Sequence, residues 1–153
     1  MEKKLVIMAG LPGSGKSYVR SRRYAEMEVI DCDEIKKSLP GYDPKNPGAV
    51  HAQSKVLETE AIYRALGEGR SFVYDTTATN WAKLVKLIQD AKSVGYSVEL
   101  CYVKVSLKTS LYRNANRERV VPEELIKEKF ALLPVALEVL SGYVDNYVVV
   151  NND

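Results

Sequence analysis

Residues 5–17, LVIMAGLPGSGKS, constrain the fold more than any other stretch of this chain. An apolar run stops at Gly10, and the next residues complete the pattern G-x-x-x-x-G-K-[ST]. In such a loop the backbone N–H groups converge on phosphate oxygens, the lysine reaches the outer phosphates, and the hydroxyl is a hard oxygen ligand for Mg²⁺. We therefore predict a nucleotide phosphate site, with the metal ion on Ser17, formed by Gly10, Pro12, Gly13, Ser14, Gly15, Lys16 and Ser17.

The composition is that of a globular protein with one domain, residues 1–153. Hydrophobic residues make up 46% and charged residues 27%, and the net charge of +2 permits a nucleic-acid partner without requiring one. No apolar run approaches the ~20 residues of a membrane span, so we expect a cytoplasmic protein with no membrane partner. The lone His51 excludes a histidine-rich zinc site, and the two cysteines have no metal or redox spacing. The oligomeric state stays open.

Strand and helix patterns alternate along the chain. Predicted strands cover residues 4–9, 29–30, 71–74, 96–105 and 146–150. Predicted helices cover residues 16–27, 33–39, 49–67, 81–94, 107–117 and 123–133, and three prolines mark 40–48 as a loop. The alternation predicts a three-layer α/β fold with a five-stranded parallel sheet flanked by helices. Ligands gather beyond the carboxyl ends of such strands, where we place Gly10, Asp33 and Asp75.

Two carboxylates follow neighbouring strands of this predicted sheet. Asp33 either caps the helix that it opens or acts as a general base on an acceptor hydroxyl. Asp75 caps the Thr76-Thr77 turn, holds magnesium, or orients a basic side chain that grips the acceptor. Two carboxylates at neighbouring strand ends beside a phosphate loop favour a role in the site over two caps.

Basic residues occupy two segments. We expect Arg20, Arg22 and Arg23 on the exposed side of the first helix. Arg113 and Arg117 are spaced i, i+4, which predicts one helix face on which like charges repel unless an anion offsets them. This segment, about residues 113–121 and including Arg119, is either a solvated basic face or a lid that closes over a triphosphate. From position alone, the loop 40–48 and the helix after it should line the acceptor side.

The order of GLPGSGKS, VIDCDEIKKSL, FVYDTTATN and SLYRNANRERVVPEEL resembles the kinase domain of phage-type polynucleotide 5′-kinases over about residues 3–133. The wider P-loop superfamily includes zeta-toxin-like and small-molecule kinases. The resemblance implies a P-loop NTPase kinase fold with an arginine-bearing lid. It implies Mg²⁺-dependent transfer of the γ-phosphate of ATP or GTP to a hydroxyl, favouring a polynucleotide 5′-OH end, and it leaves a phage-encoded origin open. The alternatives are a small-molecule kinase for a nucleoside, sugar or antibiotic, and a non-enzymatic nucleotide-binding switch.

The resemblance also assigns roles to residues at matching positions. It implies that Asp33 is the general base and that Arg113 and Arg117 are the lid arginines. Together with the phosphate loop, this gives Lys16, Asp33 and Arg117 as the catalytic set. The resemblance also implies that Lys36, Asp75 and Thr77 bind the acceptor. Two positions depart from the family pattern, because Lys36 stands where the family has arginine and Thr77 where it has asparagine, with Asn80 as the candidate substitute amide.

Overall fold

A central sheet of five parallel strands forms the middle layer of the protein. The computed structural model describes residues 2–43, 45–46, 50–117 and 120–153. The strands are β1 (Lys3–Ala9), β2 (Glu28–Asp31), β3 (Phe72–Asp75), β4 (Tyr96–Lys104) and β5 (Asn146–Asn151), in the spatial order β2-β3-β1-β4-β5. β1 is central and buried on both faces, which explains why its sequence is continuously apolar instead of alternating.

Helices cover both faces of this sheet. They are α1 (Lys16–Arg23), α2 (Cys32–Ser38), α3 (His51–Glu68), α4 (Trp81–Ser93), α5 (Leu107–Ala115) and α6 (Glu123–Ser141). Leu5, Ile7 and Ala9 of β1 pack on one face with apolar residues of α3, α4 and α6. Val6 and Met8 point to the opposite face, where they join a cluster that includes Val19 of α1. The three-layer α/β fold with a five-stranded parallel sheet is therefore confirmed.

The ends of α1 and α6 differ from the sequence prediction by several residues. α1 ends at Arg23 and not at residue 27, because a turn follows in which the Met27 N–H donates to the Tyr24 carbonyl at 3.1 Å. α6 was expected to end at residue 133, yet it continues through Pro134 to Ser141. Burial of Leu133, Leu137 and Leu140 against the sheet outweighs the backbone hydrogen bond that the proline cannot make.

Some sequence-based expectations fall outside the described residues. These are the start of the third helix at residue 49, residues 44, 47 and 48 of the loop, and residues 118 and 119 of the lid segment, which include Arg119. Within the described ranges, no helix is both long and apolar enough to cross a membrane.

Candidate functional site

A cleft of about 760 Å³ opens at the carboxyl end of the sheet. Its volume lies in the range of small-molecule sites. Every predicted site residue except Gly10 lines it: Pro12, Gly13, Ser14, Gly15, Lys16, Ser17, Asp33, Lys36, Asp75, Thr77, Arg113 and Arg117. Gly10 instead lies beneath the loop, where a Cβ atom would meet the Ser14 hydroxyl and the Val103 carbonyl. Lys45 and Asn46 of the 40–48 loop and His51 and Lys55 of α3 also line the cleft, as position had suggested.

The phosphate loop, residues 10–17, has the backbone that anion binding requires. Gly13 and Gly15 have φ values of 79° and 86°, the left-handed region that residues with a Cβ rarely adopt. α1 begins at Gly15 with no side-chain cap and no acidic residue in its first turn, so its N-terminal N–H groups and positive dipole end face the cleft. The Ser14 hydroxyl is buried and has no hydrogen-bond partner in the described part of the chain. These features fit a nucleotide phosphate group.

Distant segments brace the phosphate loop from outside. The Ser110 hydroxyl of α5 donates to the Pro12 carbonyl at 2.5 Å, and Asn152 Nδ2 donates to the Ser14 carbonyl at 2.8 Å. These contacts join residues about 100 positions or more apart in the sequence, so the loop pattern alone could not predict them. They hold the Pro12 and Ser14 carbonyls in place from outside the loop.

Asp75 holds two cations at the end of β3. Its Oδ1 lies 3.2 Å from Lys16 Nζ and its Oδ2 lies 2.6 Å from Arg20 Nη1. Lys16 Nζ also donates to the Thr76 carbonyl at 3.1 Å. Asp75 thus orients two basic side chains, and one of them is the lysine of the phosphate loop. Arg20 is not exposed as expected, because the first turns of α1 direct it back over the sheet edge.

The cap of α2 is Asp31 and not Asp33. The Asp33 N–H donates to Asp31 Oδ1 at 2.9 Å, while the Asp33 side chain lines the cleft from the first turn of α2. Asp31 pairs in register with Asp75 on the neighbouring strand. Burial raises the pKa of the Asp31 carboxyl, and the charge of Asp75 raises it further. The capping alternative for Asp33 is thus excluded, since Asp31 already fills that role.

The lid arginines do not share one helix face. Arg113 lies in α5, where its Nη2 donates to the Asn152 carbonyl at 3.0 Å, whereas α5 ends at Ala115 and Arg117 follows in the turn. Asn114 closes this turn because its Nδ2 donates to the Val121 carbonyl at 2.7 Å and its Oδ1 accepts from the Val121 N–H at 3.0 Å. The prediction of one helix face was wrong, since the helix stops where Asn114 binds the returning chain. Both arginines nevertheless line the same cleft.

A buried carboxylate lies on the α3 side of the cleft. The Glu58 side chain is 1% exposed, and its Oε1 accepts from the Tyr74 hydroxyl at 2.6 Å and lies 3.4 Å from Lys55 Nζ and 3.6 Å from Lys83 Nζ. Burial and the charge of Glu58 raise the pKa of the Tyr74 hydroxyl, so Tyr74 stays a donor. Glu58 Oε2 has no hydrogen-bond partner within the described ranges.

The amide predicted at position 80 does not reach the cleft. Asn80 caps α4, where its Oδ1 accepts from the Lys83 N–H at 3.4 Å, and it is not among the residues that line the cleft. Asn80 therefore does not substitute for the amide that is missing at Thr77. The Thr77 hydroxyl instead lies 3.5 Å from Lys129 Nζ of α6.

The Ser17 hydroxyl at the start of α1 is the candidate ligand for a magnesium ion. No group of three or more acidic, histidine or cysteine side chains that could hold a metal ion occurs within residues 2–43, 45–46, 50–117 and 120–153. One hard oxygen beside a phosphate-binding loop suits an ion that keeps most of its ligands from water and nucleotide phosphates. Ser17 is exposed, so its hydroxyl is accessible for this role.

Sequence reasoning missed several residues of the cleft or its support: Arg20, Asp31, Lys55, Glu58, Asn114, Lys129 and Asn152. Most are long-range partners whose sequence neighbours carry no motif. Asp31 had a usable signal, because it precedes Cys32 and Asp33 at the end of β2, where a capping side chain is expected. No sequence signal identified Lys129, since it resembles any other lysine on an amphipathic helix.

The sequence of this chain is similar to sequences of known proteins. The family model described as zeta toxin matches residues 1–153. An L-seryl-tRNA(Sec) kinase of Methanococcus maripaludis is 27% identical over 133 residues, which is 82% of this chain and 51% of that protein. The chain thus spans about half the length of this curated relative.

Solved structures share the fold at lower sequence identity. The AvrRxo1-ORF1:-ORF2 complex with ATP has a TM-score of 0.80 at 20% identity, covering 98% of this chain and 55% of the other. The Pnkp1/Rnl/Hen1 RNA repair complex contains a chain with a TM-score of 0.70 at 16% identity, covering 90% of this chain and 46% of the other. These likenesses establish a P-loop kinase-like fold.

Proposed function

The chain belongs to the zeta toxin family, and on that premise we propose that it is a Mg²⁺-dependent P-loop kinase that transfers the γ-phosphate of ATP to a hydroxyl. One observation carries this proposal: Lys16 of the phosphate loop and Asp33 in the first turn of α2 line the same cleft as Arg113 and Arg117. A protein that only binds nucleotide needs the loop and its lysine, but it has no use for a carboxylate base and for arginines that stabilise a transferred phosphoryl group.

In the proposed reaction each group of this chain has a separate task. The phosphate-loop N–H groups and Lys16 hold the outer phosphates, and Asp33 takes the proton from the attacking hydroxyl. Arg113 and Arg117 stabilise charge on the transferred phosphoryl group. A magnesium ion held by Ser17 and the nucleotide would neutralise phosphate charge. ATP is the proposed donor because a related fold has been solved with it, and we propose a cytoplasmic location, where ATP is available.

We favour a polynucleotide 5′-OH end as the acceptor. The order of motifs resembles that of polynucleotide 5′-kinases, and the similar proteins include a kinase named for a tRNA and a chain of an RNA repair complex. Lys36 is 5% exposed and lines the cleft. Its position in the sequence matches that of the phosphate-binding arginine of the polynucleotide 5′-kinases, so this chain has a cation there. A small hydroxyl compound is the second acceptor class.

The test is transfer of labelled γ-phosphate from ATP to a 5′-OH oligonucleotide, with and without Mg²⁺, beside nucleosides and sugars. We expect label on the oligonucleotide, loss of turnover in Lys16→Ala, and a fall in kcat with retained ATP binding in Asp33→Asn. Lys86→Ala and Asp90→Asn are matched controls on the exposed face of α4. Label on a small molecule alone would contradict the polynucleotide acceptor and favour the small hydroxyl compound. A near-normal kcat in Asp33→Asn would contradict the role of Asp33 as general base.

A further inference from the structure

Asn152 follows the last strand of the sheet and contacts the phosphate loop from outside. Its Nδ2 donates to the Ser14 carbonyl at 2.8 Å. It also packs against the next residue of the loop, because a Cβ atom on Gly15 would overlap the Asn152 amide nitrogen. One side chain thus contacts the loop at two consecutive positions, and the second of them is the residue at which α1 begins.

The sheet fixes the position of Asn152. Its backbone N–H donates to the Lys104 carbonyl of β4 at 2.9 Å, which extends the pairing of β4 and β5 by one residue. The residue after it is also held, because Asp153 Oδ1 accepts from the Ser106 N–H at 3.1 Å and from the Ser106 hydroxyl at 3.0 Å. A group supported by a strand positions its partners more precisely than a group on a loop does.

Asn152 also holds Arg113 of α5. Arg113 Nη2 donates to the Asn152 backbone carbonyl at 3.0 Å, and Nη1 lies 3.4 Å from the Ser14 carbonyl. The Ser14 carbonyl therefore accepts from two side chains, which its two lone pairs allow. Ser14, Arg113 and Asn152 each contact the other two, so the phosphate loop, α5 and the end of β5 are joined at one point.

The direction of the Ser14 carbonyl determines the direction of an N–H group in the phosphate loop. In a planar trans peptide the N–H points away from the C=O. The Gly15 N–H therefore lies on the side of this peptide unit opposite to Asn152 and Arg113. Gly15, at a φ of 86°, has no Cβ that would restrict rotation of the peptide unit, so the fixed direction depends on the groups that hold the Ser14 carbonyl.

We propose that Asn152 is a positioning residue of the nucleotide site, which holds the peptide unit between Ser14 and Gly15 in the orientation that binds a triphosphate. The inference rests on the proposed function and deepens it, because it adds a support to the same phosphate loop. It gives Asn152 no contact with the base or the ribose. Loss of the Asn152 amide should therefore lower the affinity for the phosphate chain itself.

Asn152→Ala and Asn151→Ala form the matched variants. Asn151 is the neighbouring residue of the same type, is exposed, and accepts from the Asp153 N–H at 3.2 Å. We expect Asn152→Ala to raise the Kd for a non-hydrolysable ATP analogue with Mg²⁺ at least about fivefold, since one hydrogen bond contributes about that factor. Asn151→Ala should bind like the wild type. Calorimetry measures the three Kd values, and equal values would overturn the inference.

Tripolyphosphate with Mg²⁺ is the second probe, because it carries the phosphate chain without a base or a ribose. Asn152→Ala should weaken its binding by the same factor as that of the ATP analogue. A loss confined to the ATP analogue would overturn the positioning role, since Asn152 would then contact the base or the ribose. Tripolyphosphate that does not bind the wild type would also overturn it, because the phosphate chain would then not be what the loop holds.

Asn152→Leu separates the hydrogen bond from packing. Leucine has a similar size and no donor, so Asn152→Leu should lose affinity as Asn152→Ala does. Wild-type affinity in Asn152→Leu would show that the side chain only fills space beside Gly15, and would contradict the inference.

Steady-state kinetics distinguish positioning from a general loss of folding. In Asn152→Ala the KM for ATP should rise, while the KM for the acceptor and the kcat at saturating ATP stay nearly unchanged. A smaller folded fraction would instead lower kcat and leave the KM for ATP unchanged, and this result would count against Asn152 as a positioning residue.

Failure of the proposed function can be separated from failure of this inference. A wild type that binds the ATP analogue but phosphorylates no acceptor would discard the kinase assignment, and the two binding probes would still decide the role of Asn152. Turnover by the wild type together with unchanged nucleotide affinity in Asn152→Ala would discard the role of Asn152 alone. A wild type that binds neither probe would overturn both.

Discussion

Arg20 Nη1 lies 2.6 Å from Asp75 Oδ2, while the other oxygen of that carboxylate lies 3.2 Å from Lys16 Nζ. One buried carboxylate thus holds the lysine of the phosphate loop and a second cation one helical turn further along α1. A buried carboxylate left without a cation is strongly destabilised. We therefore expect Arg20 to let Lys16 leave Asp75 for a nucleotide phosphate, since Asp75 would keep one partner.

Replacing Arg20 should weaken nucleotide binding. In Arg20→Met, Asp75 has Lys16 as its one close cation, so we expect the KM for ATP to rise about tenfold, equivalent to about 1.4 kcal/mol. Arg20→Lys should recover part of the loss because it restores a cation. Arg22→Met is the control, since Arg22 is exposed and stacks on Tyr18. Steady-state kinetics with varied ATP provide the measurement, and an unchanged KM in Arg20→Met would show that Arg20 does not support Lys16.

Asp31→Asn should change how stability depends on pH. The pKa of Asp31 is raised by burial and by the neighbouring charge of Asp75, so the folded protein holds this proton more tightly than the unfolded chain. The ionised group therefore lowers stability at neutral pH, and this loss is relieved as pH falls through the folded pKa towards the unfolded value of about 3.9. Asparagine can still cap α2.

We therefore expect Asp31→Asn to have the larger free energy of unfolding near neutral pH, with the difference shrinking as the pH falls towards about 4. Urea unfolding of both proteins at several pH values measures this difference. A constant difference across the range would mean that the titration of Asp31 is not coupled to folding.

Asn114→Ala should destabilise the lid turn. Asn114 is 4% exposed and exchanges two hydrogen bonds with the Val121 backbone, so truncation leaves a buried N–H and a buried carbonyl without these partners. We expect a loss of about 2–3 kcal/mol in the free energy of unfolding. Asn116→Ala is the control, because Asn116 is exposed and donates only to the Tyr112 carbonyl within its own helix. Similar losses in both variants would rule out a special role for the Asn114 contacts.

Pro134→Ala should stabilise the protein. Pro134 is exposed inside α6, where it removes a backbone hydrogen bond that alanine would restore. Part of this gain is offset because alanine also gives the unfolded chain more freedom, which leaves an expected gain of about 1–2 kcal/mol. Thermal and urea unfolding measure it, with Val135→Ala as a neighbouring exposed control. A lower melting temperature for Pro134→Ala would show that α6 is adapted to the proline.

Local patterns predicted the sheet and most of the helices. Continuous apolar strands, glycine stops and helical spacing depend on neighbours within about one turn or one strand, which the sequence displays directly. The end of α6 was not predictable in this way, because Pro134 is a local signal to stop and the burial of Leu137 and Leu140 is a distant reason to continue. Arg117 was predicted to lie in a helix for the same reason. The helix in fact ends before it, because the Asn114 side chain forms hydrogen bonds with the distant backbone of Val121.

The sequence by itself determined the phosphate loop, the parallel sheet and the gathering of Lys16, Asp33, Asp75 and the lid arginines at one edge of that sheet. These follow from short-range rules and from the fact that parallel strands share their carboxyl ends. Tertiary structure alone decided that Arg20 joins Asp75, that Asp31 takes the cap of α2, and that Lys129 of α6 lines the same cleft as Lys36 and Lys55. Ion pairs and charge clusters depend on distances between residues far apart in the chain, and those distances are set only when the helices pack on the sheet.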